Sequence, residues 1–136
     1  MTDGSFAETI DPSAGGAGLG RARDNLRAWL SRCGVPEPAL HEILIACGEA
    51  CANAVEHSGA RMHTGRPGIS VTATRSTSGV QIVVADHGAW KIAASEPSVP
   101  SGGRGRGRMM MAALVDHLDI RTGPDGTTVE LIKELP

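Results

Sequence analysis

In 136 residues the chain has one phenylalanine, two tryptophans and no tyrosine. Aromatic base-stacking platforms are thereby all but excluded, and the core must rest on Leu, Ile, Val, Met and Ala. No charge sign dominates either: 13 Lys and Arg stand against 15 Asp and Glu, a formal net charge of −2. No overall field draws such a chain to nucleic acid or to an anionic membrane. Three cysteines, an odd number, make no disulfide framework. Cys47 and Cys51 stand one helical turn apart with no further His or Cys at ligand spacing, which reads as buried thiols in a reducing compartment rather than a metal pair. No stretch approaches a membrane span, and the N-terminus has acidic residues and no apolar leader. These absences predict a single cytoplasmic domain spanning residues 1–136, with one core.

The most informative stretch lies between Leu40 and His57. Leu40, Ile43, Leu44, Cys47, Ala50, Cys51, Ala54 and Val55 recur at helical spacing and predict one amphipathic helix. At about 100° per residue, Glu49, Asn53 and Glu56 share the opposite side. That spacing fits a solvated face. It equally fits a carboxylate and a carboxamide sharing one ligand, such as a hydrated metal ion with its phosphates. Ile45 and Ala52 on the same side argue against a fully wet surface.

Taken in order, residues 5–10 alternate as a short edge strand, and a basic helix with Arg21, Arg23, Arg27 and Arg32 follows from about Gly18 to Cys33. Those arginines suit a solvated surface or a docking surface for an acidic partner. Gly34 fits a C-cap and Pro36 a new helical turn. After the main helix, Ile69–Thr74 and Val80–Ala85 read as an antiparallel hairpin, the second strand being more apolar and hence more central. Asp86-His87-Gly88-Ala89-Trp90 marks that strand's end. A long loop, a lid over about 89–104, leads through a run of alternating Gly and Arg to a helix over Met109–Val115, its three methionines expected in the core. Two strands close the chain, near 118–121 and 127–133. The order predicts an α+β, two-layer sandwich: a mixed, mostly antiparallel sheet with about three helices on one face.

The polar helix, the strand-end Asp86-x-Gly88, the glycine-rich helix start at Gly105 and Gly107, and Gly126-Thr127-Thr128 occur in the order found in the histidine-kinase-like ATPase superfamily. The chain resembles that superfamily over about residues 5–135, and within it bacterial anti-sigma factor serine/threonine kinases, including kinase-like modules of multidomain phosphatase–kinase stress regulators. The resemblance implies a Bergerat-type ATP-binding fold with ATP and Mg²⁺ as cofactors. It implies Glu49 as the catalytic carboxylate that activates an attacking hydroxyl, and Asn53 as the Mg²⁺ ligand. Asp86 would accept a hydrogen bond from the adenine amino group, with Gly88 allowing close backbone approach and Thr127 fixing the aspartate. Thr128 is the weaker candidate for that last role. Gly105 and Gly107 would receive phosphate at a helix N-terminus, with Arg104, Arg106 and Arg108 as further candidate contacts. The implied partners are an anti-sigma-factor antagonist as phosphorylation substrate, a sigma factor, and a second copy of the chain as homodimer. The chain departs from the family's pattern at Trp90, where a second glycine is common, and at Arg108, usually apolar. Trp90 would cover the nucleotide or plug its pocket, so a non-catalytic nucleotide- or partner-binding module is the alternative reading.

Overall fold

Alternating apolar and polar side chains produce five strands: β1 (Ser5–Ile10), β2 (Ile69–Arg75), β3 (Gly79–Asp86), β4 (His117–Gly123) and β5 (Gly126–Glu134). Helical periodicity produces α1 (Gly16–Arg32), α2 (Glu37–Ser58) and α3 (Gly102–Leu114). The computed structural model describes residues 4–11, 16–58, 68–86, 102–123 and 126–136, with the side chains of 16, 56–58 and 102–106 outside that description. The expected lid, Gly88 and Trp90 therefore lie outside the described residues.

The strands form one sheet in the order β1-β2-β3-β5-β4, every pairing antiparallel. The expected hairpin is β2–β3, with Val71 opposite Val84 and Ala73 opposite Ile82, and β3 is central. One face of the sheet carries Ile10, Ile69, Val71, Ala73, Val80, Ile82, Val84, Val129 and Leu131, all buried beneath the helices. The fold is thus the predicted α+β sandwich. From α2, the expected stripe from Leu40 through Ala54 is buried, together with Ala46. With aromatics so scarce, two of the three are used together: Phe6 of β1 and Trp29 of α1 stack with centroids 5.8 Å apart at 42°. Asn25 Nδ2 adds donations to the Glu8 carboxylate at 3.2 and 3.3 Å, so α1 holds the edge strand by packing and by hydrogen bonds.

The stop between α1 and α2 is a Schellman motif. Gly34 has φ of +77°, the Val35 amide donates to the Leu30 carbonyl at 3.1 Å, and the Gly34 amide donates to that of Ser31 at 3.0 Å. Leu30 and Val35 are both buried, supplying the apolar contact that accompanies this cap.

Two expectations are corrected around α3. The helix begins at Gly102, not at Met109, so the Gly/Arg run is its first half. Glycine lowers helix propensity by about 1 kcal/mol per residue, but packing against a neighbouring helix outweighs propensity here. Of the three methionines, only Met111 is core, while Met109 is 72 % and Met110 42 % exposed. At the other end of α3, Lys133 of β5 donates from Nζ to the Leu114 carbonyl at 3.1 Å and pairs with Glu42 of α2 at 2.7 Å. A cation there satisfies a last-turn carbonyl and matches the negative end of the helix.

Candidate nucleotide site

α2 runs along β3 in the direction of the strand. Ile43 shares a packing gap with Val80, Ile82 and Leu131, while Cys47 and Cys51, further on, line a cavity with Val71, the partner of Val84. The following turn, which carries Asn53, is therefore directed toward the strand end that carries Asp86. Glu49 and Asn53 lie one turn apart on α2, both half-buried. Among the described residues neither side chain makes a hydrogen bond or an ion pair, so both are available to a ligand.

α3 packs closely against α2 at Gly107. A Cβ added to Gly107 would lie 2.6 Å from Oε2 of Glu49 and 3.2 Å from its Cγ and Cδ. Gly107 is thus the position at which the Glu49 carboxylate rests against α3. Its sequence-predicted role was to free backbone amides for phosphate. With the helix starting at Gly102, the unpaired amides belong to its first turn, which does not reach Gly107. No acidic residue occupies that first turn, so nothing in it offsets the positive end of the helix dipole.

At the strand end, Asp86 and Thr127 face each other across β3 and β5 and share the helix-covered side of the sheet. Asp86 is 5 % and Thr127 1 % exposed, the two buried polar residues among those described. Among the described residues the Thr127 hydroxyl has no hydrogen-bond partner. Leaving a buried hydroxyl unsatisfied costs about 1–3 kcal/mol, which a bound ligand or water at this position would recover. The next residue, Thr128, pairs with Ala85 and falls on the other face of the sheet, away from Asp86. Arg108 is exposed. Gly88 lies outside the described residues, as do the side chains of Arg104, Arg106, Glu56 and His57.

The cysteines behave as buried thiols. Cys47 and Cys51 are free and buried, and the hydrogen bond with Cys51, then burial, then charge repulsion with it push the Cys47 thiol well up from its ordinary value. Among the described residues no cluster of three His, Cys, Asp or Glu side chains could hold a metal ion. No helix of the described residues is long and apolar enough to cross a membrane.

Among the described residues, three helices on one face of a five-stranded antiparallel sheet, with buried polar groups gathered at one end of the helix layer, define the Bergerat-type class of α+β sandwich. Residues 13–133 match the family described as Histidine kinase-like ATPase domain, and the chain belongs to that family. The solved structure of the RsbU and RsbW domains of Rv1364c from Mycobacterium tuberculosis is similar at a TM-score of 0.73 and 28 % identity, covering 97 % of this chain. The present chain spans 33 % of the length of that one. The SiaB-SiaC complex from Pseudomonas aeruginosa gives a TM-score of 0.66 at 10 % identity over 94 % of this chain and 87 % of that chain. The histidine kinase domain of the blue-light activated histidine kinase from Erythrobacter litoralis EL346 gives 0.55 at 20 % identity, over 93 % of this chain and 67 % of that chain. These last two are likenesses of fold.

Proposed function

We propose that the chain is an ATP-dependent protein serine/threonine kinase and anti-sigma factor, which phosphorylates an anti-sigma-factor antagonist and sequesters a sigma factor. The observation that carries this reading is the seating of Glu49, with no hydrogen-bond or ion-pair partner among the described residues, against Gly107 in the first half of α3. A carboxylate free to accept a proton, beside a helix whose first amides are unpaired, is the pairing that phosphoryl transfer to a hydroxyl requires. The similarity to the RsbU and RsbW domains of Rv1364c supports the same reading.

The residues present fit ATP and Mg²⁺. The orphaned Thr127 hydroxyl and the Asp86 carboxylate are buried together at the base end of the site, and an ionised carboxylate accepts from an exocyclic amine, selecting adenine over guanine. Asn53 offers the single protein oxygen that a magnesium ion commonly takes beside phosphates and water. Gly105 and the neighbouring amides of the first turn of α3 would receive phosphate. When bound, Mg²⁺·ATP supplies the phosphoryl group and the neutralising charge. Glu49 holds the incoming serine or threonine hydroxyl and takes its proton. Lys133, joined to both the end of α3 and Glu42, fixes the spacing of the two helices on which this depends. Homodimerisation through β1 and α1 is part of the proposal. Its support is that β1 is an edge strand. A cytoplasmic location goes with these partners.

The test is transfer of labelled phosphate from ATP to antagonist-type proteins by the wild type and by Glu49→Ala, together with a calorimetric titration of Mg²⁺·ATP. Binding tighter than about 100 μM with transfer lost in the variant supports the proposal. Equal transfer by both proteins removes Glu49 from its role. No binding at about millimolar nucleotide identifies a non-catalytic module.

A further inference from the structure

Between α1, α2 and β2 lies a cavity of about 230 Å³, separate from the site above. It opens on the α1 side of α2, whereas Glu49 faces α3. Its wall is apolar: Leu19, Leu26, Leu44 and Val71, with the thiols of Cys47 and Cys51. Two glycines, Gly20 of α1 and Gly48 of α2, line it as well. Glycine inside a helix is destabilising relative to alanine, and it is often explained by a neighbour pressed against it. Here a Cβ at either position would meet nothing within 4 Å. No packing contact demands these two glycines, and their effect is to leave the cavity wide.

One charged residue lines the cavity. Arg23 is exposed on α1 and has no ion-pair partner among the described residues. Cys47 adds no opposing charge, since the hydrogen bond with Cys51 and burial keep its thiol protonated. An apolar cavity of about 150 Å³ holds benzene, so this one holds a tail of roughly eight or nine carbons.

We propose that the α1–α2 cavity is a binding site for a small amphipathic monoanion, a medium-chain carboxylate whose tail fills the cavity and whose carboxylate meets Arg23. The size of the cavity favours such a molecule over a folded partner, and the single unpaired guanidinium fixes the sign of its charge.

The test is isothermal titration of the full chain with hexanoate, octanoate, octanol and octylammonium. Octanoate is expected to bind, about sixteenfold tighter than hexanoate, because each buried methylene contributes about fourfold. Octylammonium is expected to show no binding. Arg23→Gln should weaken octanoate about tenfold while leaving octanol unchanged, the loss of one charged hydrogen bond. Two cavity-filling variants, Gly48→Leu and Ala22→Leu, should each abolish octanoate binding, with thermal melts reporting that they are folded. The proposal is overturned if octanoate binds no tighter than about 10 mM. It is also overturned if octylammonium binds as well as octanoate, or if both folded filling variants retain binding. An acidic apolar peptide that binds where octanoate does not would assign the groove to a protein segment instead, and would overturn it too.

Discussion

Replacing Gly107 by alanine isolates the contact on which the proposed chemistry depends. The added methyl carbon would sit 2.6 Å from Glu49 Oε2, so the carboxylate must retreat by about 0.8 Å to reach an ordinary 3.4 Å contact. The atom displaced is the far end of a flexible side chain, so the fold can absorb the change. Moving the glutamate off its rotamer costs about 0.5–1.5 kcal/mol, while alanine in place of glycine returns about 0.5–1 kcal/mol of helix stability. Stability should therefore change by less than about 1 kcal/mol, and the melting temperature by at most a few degrees. Catalysis should not be spared: a misplacement near 1 Å at a reacting group costs about a hundredfold in rate. Single-turnover phosphoryl transfer at saturating Mg²⁺·ATP, beside a nucleotide titration and a thermal melt, separates these quantities. The expected result is a rate about two orders of magnitude lower, with folding and nucleotide affinity nearly intact. A rate within about threefold of wild type would refute the positioning argument. So would a loss confined to nucleotide affinity, because the contact would then serve binding rather than reaction.

Three further outcomes are expected. Thr127→Val keeps the shape and removes an unsatisfied buried hydroxyl, so the nucleotide-free protein should gain up to about 1–2 kcal/mol in chemical denaturation while binding ATP more weakly. Gly34→Ala should lower stability by about 1 kcal/mol in the same assay, since φ of +77° is unfavourable for a residue with a Cβ. The raised Cys47 thiol predicts that stability falls as pH rises above about 9. There the unfolded chain has released this proton and the folded chain still holds it, so folding opposes ionisation. Cys47→Ala in urea titrations from pH 7 to 10 should flatten that slope.

The fold was legible because its periodicities are clean. The α2 stripe, the β2–β3 hairpin and the strand-end position of Asp86 all follow from residue spacing, and each is observed. Alternation also separates Thr127 from Thr128: adjacent residues face opposite sides, and only the former joins Asp86. The start of α3 was misread because local propensity opposes a helix of alternating Gly and Arg, and only contact with α2 makes it one. Met109 and Met110 were misassigned for the same reason, since the face a helix buries depends on where its neighbour lies. The Gly107–Glu49 contact joins residues 58 positions apart and has no signature in spacing. Lys133 was equally hidden, a lone lysine near the end of a strand whose partners are a carbonyl and a carboxylate on two different helices.

α3 is held at two points by unlike means. At the rear, one ammonium grips it through the Leu114 carbonyl while pairing with Glu42; nearer its middle, Gly107 abuts a carboxylate with no bond between them. Neutralising the charge at position 133 would release the clamp, and the unbonded seat of Glu49, about two turns away along the same rod, would loosen with it.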